Sequence, residues 1–247
     1  MPQPPQSQWP QIRTAGFDGL LVSFADGLNE PANRAALAFR AALDQAGLAG
    51  VTETSTSLVS TYLRFDPLER PHSEMVADVE RLVEERDWLN EPLPVGRRLW
   101  RIPTAFGGSA GPQLADAAMA AGMTEAEAVQ SIVGARVRVQ TIGFAPGMPY
   151  LGALSSDWDI PRLTNITPQV PAGGLCVAIR QLVLFPVSTP TGWRQLGRTA
   201  IRLFQPEAAA PFVLRPGDEV TFLPVSEAEV DRLAADPLGG ATAEVLA

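Results

Sequence analysis

The chain has 247 residues, a formal net charge of −8 and 46% hydrophobic residues, enough for one large domain or two modest ones with a real core. The negative charge disfavours nonspecific binding to nucleic acid or anionic membranes. All 19 basic residues are arginine, which excludes a lysine Schiff base, a PLP or biotinyl lysine and the P-loop lysine.

Taken in chain order, residues 1–11 are rich in Pro and Gln and are expected to fray. Leu20 to Ala25 reads as a strand. Asn29 offers an N-cap, and Pro31 to Ala46 reads as a helix ending at Gly47. Val51 to Ser55 and Leu58 to Phe65 are Thr- and Val-rich strand candidates. Met75, Val79, Leu82 and Val83 recur at helical spacing, which predicts an amphipathic helix over Ser73 to Trp88. A short strand follows at Arg98 to Ile102. The order is βαββαβ, the split βαβ or ferredoxin-like arrangement. Asn90 to Gly96, with two prolines, is the linker candidate, although the strand after it can still join the first sheet. This sets expected domains at 12–96 and 97–247.

Beyond the linker, Pro112 to Ala121 is an alanine-rich helix candidate, and Thr124 with Glu127 forms a capping box for a helix to about Ile132. Past Gly134 the texture changes. Arg136 to Phe144 alternates, and Leu175 to Ile179, Leu182 to Phe185, Ala200 to Phe204 and Glu219 to Leu223 are short strand candidates between Pro/Gly turns. Many short strands so punctuated predict a closed or nearly closed β-barrel. Ser226 to Ala234 reads as a terminal helix. The fold class is therefore α+β.

The chemistry-bearing residue types are few. With one histidine, His72, and one cysteine, Cys176, neither a multi-histidine metal site nor an internal disulfide can form. His72 sits where a helix starts and is read as structural, and Cys176 as a small buried strand residue. No apolar run is long enough to span a membrane, and MPQPPQSQWPQ lacks the basic and apolar regions of a secretory signal. A cytoplasmic protein is expected.

The segment Gly143 to Leu154, GFAPGMPYLGAL, interleaves glycines and prolines with large apolar residues. Similar loops follow at Asp159-Ile160-Pro161-Arg162, Val170 to Gly174, Thr189 to Trp193 and Leu196 to Thr199. Glycines permit close approach of backbone to a ligand, and exposed N–H groups can hold an anion. Arg162 and Arg198 have the planar fork that clamps a carboxylate or phosphate. From the residues alone two readings stay open. Either the loops wall a pocket, or they pack together to close a barrel end with each arginine capping carbonyls.

In order and spacing, GFAPGMPYLGAL, PR, VPAG, the Pro-x-Gly-Trp turn and GRT closely resemble the B subunit of bacterial 5-oxoprolinase. The same family includes the histidine-kinase inhibitor of sporulation and the small-subunit region of allophanate hydrolase. The match runs from Gly143 to Thr199, and Arg215 to Phe222 resembles the family's ending. The resemblance implies a ferredoxin-like domain followed by a cyclophilin-like β-barrel (a carboxyltransferase-type domain). It implies a C-subunit-like partner of cyclophilin fold, a third, A-subunit-like protein, a small-molecule amide substrate, and ATP as cofactor with Mg on a partner. The implied activity is ATP-dependent opening of 5-oxoproline to glutamate; the alternative is a non-catalytic regulator or scaffold. The implied pocket comprises Gly143, Phe144, Pro146, Gly147, Tyr150, Arg162, Pro171, Gly173, Gln181, Trp193, Arg198 and Thr199, with no catalytic residue assigned.

Several positions depart from the family pattern. By spacing, Ile132 stands where the family has a histidine, Met148 ends the usual Pro-Gly-Phe, and Pro168-Gln169 replaces a second Pro-Arg. Gly174 replaces a serine, Gln181-Leu182-Val183 a polar Gln-Thr-Gly, Thr191 a glycine, and Ala200 a proline. Isoleucine cannot do general acid–base work.

Overall fold

The computed structural model describes residues 9–246. They divide into two compact units, one up to Val95 and the other from Gly96.

The first unit is a four-stranded antiparallel sheet carrying two helices: β1 (Gln11–Thr14), β2 (Gly19–Ser23), α1 (Glu30–Ala46), β3 (Val51–Ser57), β4 (Ser60–Phe65) and α2 (His72–Glu84), in the spatial order β1-β2-β4-β3. Asn29 starts α1 by accepting from the N–H of Ala32 at 2.9 Å, and Gly47 ends it in the left-handed region at φ 57°; both follow the sequence signals. The core holds Leu20, Val22, Phe39, Leu63, Phe65, Met75 and Val79.

Three expectations are corrected here. Gln11 is paired, opposite Ser23 in β1, while the rest of the stretch expected to fray lies largely outside the described residues. Second, the strand expected at Arg98 to Ile102 leaves this sheet. Its place at the edge beside β2 is taken by β1, so the ferredoxin-like layout is completed from the N-terminal side. Third, α2 ends at Glu84 rather than continuing to Trp88. The indole is buried edge-on against Phe39, with ring centres 5.0 Å apart, and its Nε1 donates to the carbonyl of Val83 at 2.8 Å. Reaching that position requires the chain to turn.

The second unit is built from β5 (Arg98–Phe106), α3 (Leu114–Ala120), α4 (Glu125–Gly134), β6 (Val137–Ile142), β7 (Pro149–Gly152), β8 (Thr167–Val170), β9 (Gly174–Ala178), β10 (Gln181–Leu184), β11 (Thr189–Thr191), β12 (Arg194–Thr199), β13 (Glu219–Pro224), α5 (Glu227–Leu233) and β14 (Thr242–Val245). Eight strands run in the order β12-β9-β10-β7-β6-β13-β5-β14. Pairing of β12 with the far half of β5 closes seven of them into a barrel, leaving β14 on the near half. The short pair β8–β11 stands apart from it. Leu151, Leu175, Val177, Leu182, Leu184 and Phe222 fill the core. The expected capping box is present at the start of α4.

Ala200 to Phe204 is not a strand; Phe204 makes only an isolated bridge with Phe212. Its apolar alternation is satisfied by burying Ile201 and Leu203 in the core, which needs no ladder. Conversely, GFAPGMPYLGAL contains a strand. Gly143 to Met148 is the turn of a β6–β7 hairpin, closed by the Gly143 N–H donating to Met148 O at 3.1 Å. Pro149 is the first residue of β7, a position where a missing N–H is tolerated.

Candidate functional site

The hairpin turn, the loop before β8 and the β11–β12 connection meet around a cavity of about 250 Å³ lined by Phe144, Met148, Tyr150, Arg162, Ile166, Phe185, Pro190, Thr191, Gly192 and Trp193. Its floor is apolar: Met148, Phe185 and Trp193 cluster with Val170, Cys176, Ala178 and Val183, and Tyr150 packs against them. Burial pushes the Cys176 thiol far above its ordinary value, so it is a packed side chain rather than a nucleophile.

The polar heads of the cavity are an arginine and a phenol. The Arg162 guanidinium lies over the Trp193 ring, 5.2 Å from its centre, and Tyr150 meets the same indole edge-on at 6.1 Å. Burial pushes the Tyr150 phenol above its ordinary value, while the positive charge of Arg162 pulls it the other way.

Backbone hydrogen bonds on both sides hold Arg162 in place. Pro161 O accepts from Arg194 Nη1 at 2.7 Å, and the Leu163 N–H donates to Gly192 O at 2.6 Å. Arg194 is itself buried and held by Asp116, with Nε 2.6 Å from the carboxylate. The rim is apolar and exposed: Phe144, at φ 69°, is 78% exposed and Ile166 is 63% exposed. A non-glycine residue in the left-handed region is uncommon and marks a turn held by its surroundings.

Of the residues expected to form the pocket, Phe144, Tyr150, Arg162 and Trp193 line this cavity. Gly143, Pro146 and Gly147 belong to the adjoining turn, where Gly147 lies at φ 77° and a Cβ would sit 2.9 Å from Leu203 O. Gly173, after Pro171, is a glycine of backbone packing. Its Cβ would lie 2.3 Å from Thr199 O, and its N–H donates to Phe185 O at 2.7 Å. Gln181 is buried and donates to Gln140 Oε1 at 2.7 Å. Thr199 Oγ1 accepts from the N–H of Ile201 at 3.4 Å.

Arg198, a candidate anion clamp, pairs with Asp231 of α5 at 2.5 Å and does not line this cavity. The two candidate arginines therefore do not converge on it.

The positions that depart from the family pattern divide in the same way. Ile132 is buried in the core on α4, whereas Met148 and Thr191 are cavity walls. A side chain at Gly174 would place its Cβ 2.5 Å from Val170 Cγ1, so a serine does not fit this packing. Ile166 and Phe185 went unforeseen as walls; the one available signal was an apolar isoleucine isolated among the polar residues of Thr164-Asn165-Ile166-Thr167.

Residues 10–214 match the family described as carboxyltransferase domain, subdomain C and D. The chain is 32% identical over 224 residues to the 5-oxoprolinase B subunit of Bacillus subtilis (strain 168), covering 88% of this chain and 93% of that protein. It is 37% identical over 161 residues to the 5-oxoprolinase B subunit of Escherichia coli O157:H7, covering 65% and 73%.

Among solved structures, TTHA0988 superposes with a TM-score of 0.70 at 29% identity over 87% of this chain, which spans 40% of that protein's length. The Kluyveromyces lactis urea amidolyase shares the fold, with a TM-score of 0.72 at 16% identity over 99% of this chain and 17% of that one. No helix among the described residues is long and apolar enough to cross a membrane. With a family model spanning most of its length and a relative alike over nearly the whole of it, this chain belongs to the carboxyltransferase domain, subdomain C and D, family.

Proposed function

We propose that this chain is the B-subunit-like component of a heteromeric, ATP-dependent cyclic amide hydrolase of the 5-oxoproline type. The observation that carries the reading is its 32% identity to a 5-oxoprolinase B subunit across 93% of that protein. The cavity supports it, because the segments that resemble the family supply its walls.

Ring opening breaks the lactam C–N bond and adds water across it. In this reading the chain's own residues bind and orient: Arg162 takes a carboxylate, Tyr150 hydrogen-bonds an amide, and Met148, Phe185 and Trp193 exclude water. The residues of the cavity do not fit a nucleoside triphosphate, since a space of about 250 Å³ with one cationic side chain offers too few donors for three phosphates. The reading therefore assigns ATP, with its Mg, to a partner protein, together with the general acid–base residue. A C-subunit-like and an A-subunit-like protein are the partners it requires.

One observation favours a second reading, a non-catalytic scaffold or regulator. The described cavity walls include no carboxylate or imidazole, and a phenol held above its ordinary value is a poor base near neutral pH. Co-expression with C-subunit-like and A-subunit-like partners, followed by assays of 5-oxoproline-dependent ATP hydrolysis and glutamate formation, separates the two. Turnover by the complex overturns the scaffold; a stable but inert complex overturns the enzyme. The purified single chain is expected to be inactive.

A further inference from the structure

We infer that the cavity beside Trp193 selects a small carboxylate whose remaining atoms are uncharged, with Arg162 as its specificity-determining residue, and that it rejects zwitterionic amino acids. The inference deepens the function proposed above and rests on it only for the statement that the bound molecule is a substrate.

The charge pattern of the walls points to this class. Arg162 lies over Trp193, and among the described residues its guanidinium has no hydrogen-bond or ion-pair partner. Most other arginines near the barrel are engaged: Arg98 by Asp218, Arg97 and Arg136 by Glu219, Arg194 by Asp116, Arg198 by Asp231. Arg162 is thus a cation whose backbone is fixed from both sides and whose five donors are left for a ligand. The side chain is exposed, and its contact with the Trp193 ring is what limits its freedom and lowers the ordering cost of binding.

The other walls set the rest of the ligand. Tyr150, whose hydroxyl also has no hydrogen-bond partner among the described residues, supplies a neutral donor and acceptor near the same cation. Met148, Phe185 and Trp193 give an apolar floor, suited to a flat, uncharged body. No carboxylate lines the described walls, so the ammonium of a free amino acid would approach the apolar floor and the Arg162 cation without gaining a counter-charge. A lactam or N-acyl carboxylate keeps its nitrogen neutral and avoids that cost. Hydrolysis of such a bond creates an ammonium, so the same charge pattern that admits the cyclic amide disfavours its opened product.

The test is isothermal titration calorimetry on the full chain with four probes: 5-oxoproline, cyclopentanecarboxylate, 2-pyrrolidone and glutamate. The two monocarboxylates are expected to bind at least about tenfold more tightly than 2-pyrrolidone, which lacks the anion, and than glutamate, which carries the ammonium. Arg162→Ala is expected to remove the carboxylate preference with an unchanged thermal melt, and Arg162→Lys to restore part of it, because charge returns without the planar fork.

Glutamate binding as tightly as 5-oxoproline overturns the inference, as does unaltered binding to Arg162→Ala or failure of all four probes to bind. Cyclopentanecarboxylate bound through Arg162, beside a partnered complex that is inert on 5-oxoproline, removes the proposed function and keeps this site. Turnover by the complex with a KM unmoved by Arg162→Ala does the reverse.

Discussion

Arg98 grips Asp218 with two guanidinium nitrogens, Nε at 3.2 Å from Oδ1 and Nη2 on Oδ2, although Asp218 is only 2% exposed. The same carboxylate accepts from Trp100 Nε1 at 3.2 Å and from the N–H groups of Arg98 and Arg215, each at 3.0 Å. It ties the start of β5 to the turn that enters β13. Truncating one partner of a buried, hydrogen-bonded ion pair leaves the other charge uncompensated. Asp218→Ala is expected to cost about 3–5 kcal/mol, measured by urea denaturation; a loss below about 1 kcal/mol would show that the network is dispensable.

Gly173 separates backbone packing from ligand approach. At φ 81°, with a Cβ position 2.3 Å from Thr199 O, it leaves no space for any side chain. Gly173→Ala combines a clash with a left-handed backbone, each unfavourable. The expected outcome is a loss of at least about 2 kcal/mol, read as a fall in Tm, with ligand affinity retained in the fraction that folds. Selective loss of binding at an unchanged Tm would return Gly173 to the ligand site.

Arg198 and Asp231 form a partly exposed pair, at 28% and 65% side-chain exposure. Exposed pairs contribute roughly 0–1 kcal/mol. Arg198→Lys and Arg198→Ala are therefore expected to shift stability by less than about 1 kcal/mol and to leave binding of small carboxylates unaltered. Calorimetry on the variants checks this, and an affinity loss matching that of Arg162→Ala would contradict the geometry.

Glu227 provides a pH-dependent contact. Its carboxylate accepts from Ser109 Oγ and from the N–H groups of Ser109 and Ala110. These bonds, that of the Ser109 hydroxyl first, hold its pKa below the ordinary 4.5. A carboxylate depressed in the folded state contributes stability that is fully present above the unfolded value and is lost as pH falls through the folded one. The stability difference between the parent chain and Glu227→Gln is expected to stay constant near neutrality and to shrink below pH 4.5. Thermal melts across that range measure it; a difference that grows on acidification would reverse the sign.

What was legible in the sequence rested on signals carried by neighbouring residues. The Asn29 cap, Gly47 at a helix end, the Thr124–Glu127 box and the spacing of Met75, Val79 and Leu82 each act within one or two turns of helix. Their effect is the same whatever surrounds them.

The strands missed were those whose identity depends on a distant partner. Gln11 pairs with Ser23 and Thr199 with Thr104, and nothing local in either segment names its neighbour. The strand at Arg98 was legible, but its own residues left open which sheet it joins. It runs parallel to β13, with Leu99 opposite Glu219, a pairing across a long stretch of intervening chain.

The candidate site divides along the same line. Composition alone established that, His72 apart, any cationic side chain meeting an anion here is an arginine, because no lysine exists. Arg162 and Arg198 looked equivalent as sequence, each beside a turn-forming Pro or Gly. Tertiary structure separated them: Asp231, 33 residues further along the chain, folds back on α5 to neutralise Arg198. Arg194 and Gly192 instead pin the backbone of Arg162 and leave its guanidinium over Trp193. Charge availability is a property of what the fold brings within reach, and Coulomb and hydrogen-bond partners act through space rather than along the chain.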